Sequence, residues 1–143
     1  METLYEDDVL AWAAQQAALL RAQQWSRLDI DNIVEEIEDV GNSEKRELQS
    51  RMAVLISHLL KWKFQPIRRS HSWQNTIREQ RSAIQQDIRK TPSLGPLLDN
   101  ARWVASAYRR ARIDTYAETA LPALPDELPW SVSELMSEDF FPE

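Results

Sequence analysis

The chain contains no cysteine and only two glycines in 143 residues. Without cysteine there can be no disulfide, no thiol catalysis and no cysteine-ligated zinc. Gly41 and Gly95 stand far from any GxGxxG or P-loop pattern, which argues against a glycine-rich phosphate cradle. No apolar run approaches the roughly 18 residues that would suggest a membrane span, and no basic-then-apolar leader opens the sequence. There are two histidines, His58 and His71, and the residues three places before them are Leu55 and Arg68. The Glu-x-x-His pairs of di-iron bundles are therefore missing, and no metal or cofactor is expected. Strand alternation, hairpin turns, internal repeats and low-complexity tracts are also lacking. Length and composition predict a single domain over residues 1–143, cytoplasmic and without a membrane anchor.

What the chain does have is helical periodicity. Asp29 can cap a helix whose apolar positions run Ile30, Ile33/Val34, Ile37, Gly41, Leu48, Met52, Leu55, Leu59 and Trp62, in steps of three and four. Phe64-Gln65-Pro66 ends it, because proline lacks the N–H and displaces its predecessor from helical geometry. The apolar phase passes Gly41 unbroken, which predicts one very long helix over about 30–63. A helix over about 8–24 precedes it, with Val9, Trp12/Ala13, Ala17 and Leu20 inward. The short connector at 23–27 makes the two antiparallel neighbours. Ser72 is a candidate N-cap for a helix over about 73–90 that faces inward with Trp73, Ile77, Gln80/Arg81, Ile84 and Ile88. A fourth helix over about 97–119 turns Leu97, Ala101, Val104, Tyr108 and Thr115 inward. The proline-rich strap Leu121–Trp130 leads to a capping box, Ser131-x-x-Glu134, and a short helix near 132–138. The fold class is all-α: an antiparallel four-helix bundle with one very long helix and a short C-terminal helix.

Charge is unevenly spread. Residues 1–40 carry ten acidic and two basic groups, whereas residues 61–90 carry eight basic and two acidic groups. Opposed ends of a bundle or plain solvated faces explain this blandly; a basic patch for an anionic partner explains it more sharply. Within the basic stretch Lys61, Arg68, Arg69 and His71 are candidate anion-binding residues, interleaved with Trp62, Phe64 and Trp73.

Glu44, Arg51 and His58, spaced by seven, lie on nearly one helix face and form a candidate pocket. The alternative is a structural hydrogen-bond layer, with Gln80, Arg81 or Gln16 as partners. Arg51-x6-His58 is similar to the Arg-x4–6-His motif of HEPN-type ribonucleases, which are small helical bundles. That resemblance would imply a dimer-interface cleft that cleaves RNA. The chain departs from the pattern at Met52, where a polar residue is usual, and in placing the motif mid-helix.

A broader resemblance covers nearly the whole sequence. Trp12; Leu28-Asp29 followed by Val34-Glu35-Glu36-Ile37-Glu38-Asp39-Val40-Gly41; His58-Leu59-Leu60-Lys61-Trp62; Gln65-Pro66; Arg69-Ser70; Ser72-Trp73; and Thr76-Ile77-Arg78-Glu79-Gln80-Arg81 resemble the bacterial domain-of-unknown-function family twenty-nine. The likeness continues into Leu121-Pro122 and Asp139-Phe140. It implies a compact all-α fold in a bacterial cytoplasm and brings no activity, cofactor or catalytic residue. The expected function is that of a non-enzymatic interaction or accessory protein with an unidentified protein partner. A ribonuclease or toxin using Arg51 and His58, and nucleic-acid or anion binding by residues 61–73, are the alternatives. The sequence does not fix an oligomeric state.

Overall fold

The computed structural model describes residues 4–143. It is all-α, with helices over 79% of the described residues and no strand among them. The α-helices are α1 (Leu4–Asp7), α2 (Val9–Arg21), α3 (Ile30–Phe64), α4 (His71–Lys90), α5 (Ala101–Thr119) and α6 (Val132–Met136). As the periodicity predicts, α3 is a single helix of 35 residues with no break at Gly41. A Cβ at Gly41 would meet nothing within 4 Å, so this glycine serves no close helix approach.

The chain forms two compact units, Met1–Ser43 and Glu44–Glu143. In the first, the helix expected over 8–24 is divided. Asp8 closes α1 and caps α2 by accepting from the Ala11 N–H. At the end of α2, Gln23 takes φ 57°, and the N–H groups of Gln23 and Gln24 return to the carbonyls of Leu20 and Leu19. That is a Schellman closure with glutamine where glycine is usual. A short 3-10 turn over Trp25–Arg27 then leads into α3. Trp12, Gln16 and Leu19 form the buried face of α2, in place of the expected Val9 and Leu20, which are exposed. The reason is polar. Trp12 Nε1 donates to Asp29 Oδ2 at 2.9 Å, and Gln16 Oε1 accepts from the Asp29 N–H at 2.9 Å, so these side chains must face the start of α3.

The second unit holds the main apolar core. Leu48, Met52, Leu55, Ile56, Leu59 and Leu60 of α3 pack with Ile77 and Ile84 of α4, Ala107, Tyr108 and Ala111 of α5, Leu94, Leu124 and Leu135. Ser70, not Ser72, caps α4 by accepting from the Trp73 N–H, so the helix starts two residues early. Residues Pro92–Asp99 are 3-10 helix, and α5 starts at Ala101 behind the Asn100 cap, later than position 97. Pro96, which has no N–H to give an α-helical ladder, lies inside that stretch. The capping box at Ser131 and Glu134 forms as predicted, and α6 ends at Met136. Beyond it, Phe141 meets Trp62 with ring centroids 5.0 Å apart, and Phe140 meets Trp130 at 6.0 Å.

Candidate functional site

Among the described residues, Glu44, Arg51 and His58 share no hydrogen bond or ion pair with one another. Glu44 is exposed. Arg51 Nη2 donates to Glu47 Oε1 at 2.9 Å, and its Nε lies 2.9 Å from Asp87 Oδ2 of α4, an ion pair out of line for a hydrogen bond. His58 is half-buried, with Nδ1 2.9 Å from the Val54 carbonyl. Burial first, and then the Lys61 charge, hold its pKa below the usual histidine value. A neutral ring with Nδ1–H donating to Val54 satisfies both facts and leaves Nε2 as an acceptor. None of the partners anticipated for this row is used by it. Gln16 serves Asp29, Arg81 serves the C-terminal segment, and Gln80 Oε1 is buried without a hydrogen-bond partner.

The four anion-binding candidates separate. Arg69 donates through Nε to the Trp62 carbonyl at 2.7 Å and lies over the Trp62 ring, which makes it a structural clasp. His71 is exposed at the start of α4. Lys61 and Arg68 line one cavity of about 270 Å³ together with Gln65, Trp73, Glu118 and Thr119. Lys61 is only 5% exposed. Its ammonium donates to Glu118 Oε2 of α5 and lies 6.0 Å from the centre of the Trp73 ring.

This cavity closes a polar seam between α3 and α5. One turn before Lys61, the buried Ser57 hydroxyl lies 2.7 Å from the Thr115 hydroxyl, and Thr115 donates to the Ala111 carbonyl. Thr115 has one proton, so Ser57 is the donor of that pair. Thr119 donates to the Thr115 carbonyl and accepts from the Leu121 N–H. Sequence reading missed Glu118, Thr119 and Gln65 in this site and assigned Trp73 to the core. The signal that could have found them is the Ser57 and Lys61 spacing of one turn inside a row of large apolar residues.

A larger cavity of about 640 Å³ lies between α5 and the strap, with Val104, Tyr108, Leu128 and Trp130 among its walls and Arg109 and Arg112 beside them. Its ion pair, Arg112 with Asp126 at 3.1 Å, is solvated. Among the described residues no three His, Asp or Glu side chains gather as a metal-binding group, and no helix is long and apolar enough to cross a membrane.

The first unit presents a different kind of surface. Ile30 is 56% exposed, Val34 45%, Ile37 67% and Val40 66%. The apolar face of α3 is thus covered only from Leu48 onward. The reason lies in what faces this end of α3. The contacts that α1 and α2 make with this end of α3 run through polar groups, with Tyr5 donating to Glu36 at 2.6 Å and Trp12 donating to Asp29 at 2.9 Å. The Glu36 hydrogen bond, helped by the nearby acids, pushes the Tyr5 pKa up to about 12. Asn32 and then Trp12, donating to Asp29, hold that carboxyl below its ordinary value. Asp31, Glu35 and Glu38 follow one another at helical spacing beside the apolar row.

The family model described as "Domain of unknown function DUF29" matches residues 4–141. The chain belongs to this family. Membership in DUF29 assigns no activity to Lys61, Glu118 or the exposed row, so their chemistry has to be argued from geometry. No curated protein and no solved structure matches this DUF29 chain significantly.

Proposed function

We propose that the protein is a non-enzymatic docking protein whose N-terminal hairpin receives a basic amphipathic helix from a protein partner. The observation that carries this reading is the row Ile30, Val34, Ile37 and Val40, about half or more exposed and bordered by Asp31, Glu35 and Glu38. Apolar residues at steps of three and four are the anchors expected of helix-in-groove recognition. The acidic border calls for lysine and arginine on the partner. A second copy offering the same hairpin would bring like charge to like charge, because residues 1–40 carry ten acidic and two basic groups.

The size of the row sets the kind of binding. Covering four half-exposed aliphatic side chains is worth roughly 4 kcal/mol. Association costs about 4–15 kcal/mol, so the row alone supports only reversible docking, and the partner's charges must supply the remainder.

The test uses a synthetic leucine–lysine amphipathic helix as the probe. Saturable binding is expected, weakening as salt is raised and lost in Ile37→Glu. Equal binding to a scrambled peptide of the same charge, or to Ile37→Glu, would sink the proposal. A monomer–dimer equilibrium in sedimentation that Ile37→Glu abolishes would give the row to a second copy and overturn it as well.

A further inference from the structure

Beyond docking, we infer that the cavity between Lys61, Arg68 and Glu118 is a binding site for a small oxyanion, a phosphoryl or carboxylate group. The cavity is lined by donors without acceptors. An ammonium group has three N–H bonds. Lys61 is buried, and its one hydrogen-bond acceptor among the described residues is Glu118. A buried charge is held at a cost unless its remaining hydrogen bonds are met. The adjoining space of about 270 Å³ is where an acceptor can sit.

The other walls agree in sign. Arg68 lines the cavity with no carboxylate within 4.0 Å among the described residues, and Gln65 and Trp73 line it beside the two cations. The Thr119 hydroxyl is already committed to Thr115 and Leu121. Two cations face a single carboxylate, which leaves one positive charge for a ligand to balance. Guanidinium and ammonium groups together make a strong receptor for a planar or tetrahedral oxyanion. The volume is just under the roughly 300 Å³ at which pockets for drug-sized ligands begin, so the ligand is small. The larger cavity beside the strap has no comparable buried donor lacking an acceptor among the described residues.

The experiment follows the indole N–H resonance of Trp73, assigned with Trp73→Phe, during titration with inorganic phosphate and separately with benzoate. A saturable shift is expected. The tighter of the two anions identifies the phosphoryl or the carboxylate as the group recognised, and either result supports the site. Arg68→Ala, an exposed position that leaves the core intact, should weaken binding roughly tenfold. Lys61→Met should abolish it. The inference falls if neither anion gives a saturable shift by about 10 mM. It falls equally if Arg68→Ala binds as the parent does.

Discussion

His58 shows at the scale of one residue how burial decides chemistry. Its ring is half-buried with Nδ1 against the Val54 carbonyl, and its pKa lies below 6.5 because burial, with the Lys61 charge, outweighs the Val54 hydrogen bond and Glu118, which pull the other way. In the unfolded chain the ring takes up a proton near pH 6.5, while in the folded protein it stays neutral to lower pH. Between those two values the unfolded state binds more protons, so stability falls as pH drops through the window. Urea midpoints measured at about pH 7.5 and about pH 5.5 should therefore differ more in the parent protein than in His58→Gln. An equal difference in both would show that His58 contributes nothing to the acid sensitivity. Sequence alone aligned His58 with Glu44 and Arg51 along one helix face. It could not reveal that the neighbour of consequence is Lys61, one turn on, and not Arg51, two turns back. Heptad spacing reports alignment along a face, whereas burial and partners depend on which helix lies opposite.

At the scale of elements, Arg81 joins α4 to α6 and to the chain beyond it. It is 2% exposed and donates to the carbonyls of Leu135 at 2.6 Å, Glu138 at 3.4 Å and Phe140 at 2.7 Å, beneath the Phe141 ring. Burial lowers its pKa to about 10, which still leaves it a cation at neutral pH. Arg81→Met keeps the bulk of the side chain and strands three carbonyls. Hydrogen bonds to a charged donor contribute about 1.5–3 kcal/mol each, and they are not fully additive, so a loss of roughly 3–5 kcal/mol is expected in urea unfolding. A loss below about 1 kcal/mol would show that water replaces the guanidinium freely. The periodicity of α4 correctly set Arg81 inward with Ile77 and Ile84. What the arginine does there was not legible, because its acceptors are main-chain oxygens more than 50 positions away. Capping was legible where two side chains agreed, as at Ser131 and Glu134. It misled where two serines competed, as at Ser70 and Ser72.

Across the whole molecule, apolar burial is concentrated in one unit. Residues 48–61 of α3 include nine buried positions, whereas residues 30–43 of the same helix include none. Local stability follows buried apolar contact, so amide exchange should be slow over 48–61 and markedly faster over 30–43. Uniform protection along α3 would mean that helix propagation alone holds its first turns. The length of α3 was legible because proline and apolar phase set its ends and its continuity. The uncovered first half was not legible: a stripe of isoleucine and valine looks the same in sequence whether or not a companion lies against it.

The hold of Arg81 on the C-terminal segment has a corollary for sequence tolerance. A guanidinium that grips peptide oxygens is indifferent to the side chains those peptides carry. Exposed Glu138 and Asp139 can therefore be exchanged for other non-proline residues with little effect, provided the backbone keeps its path. The lettering at these two positions is free to drift, while the guanidinium that grips the backbone on either side of them is not.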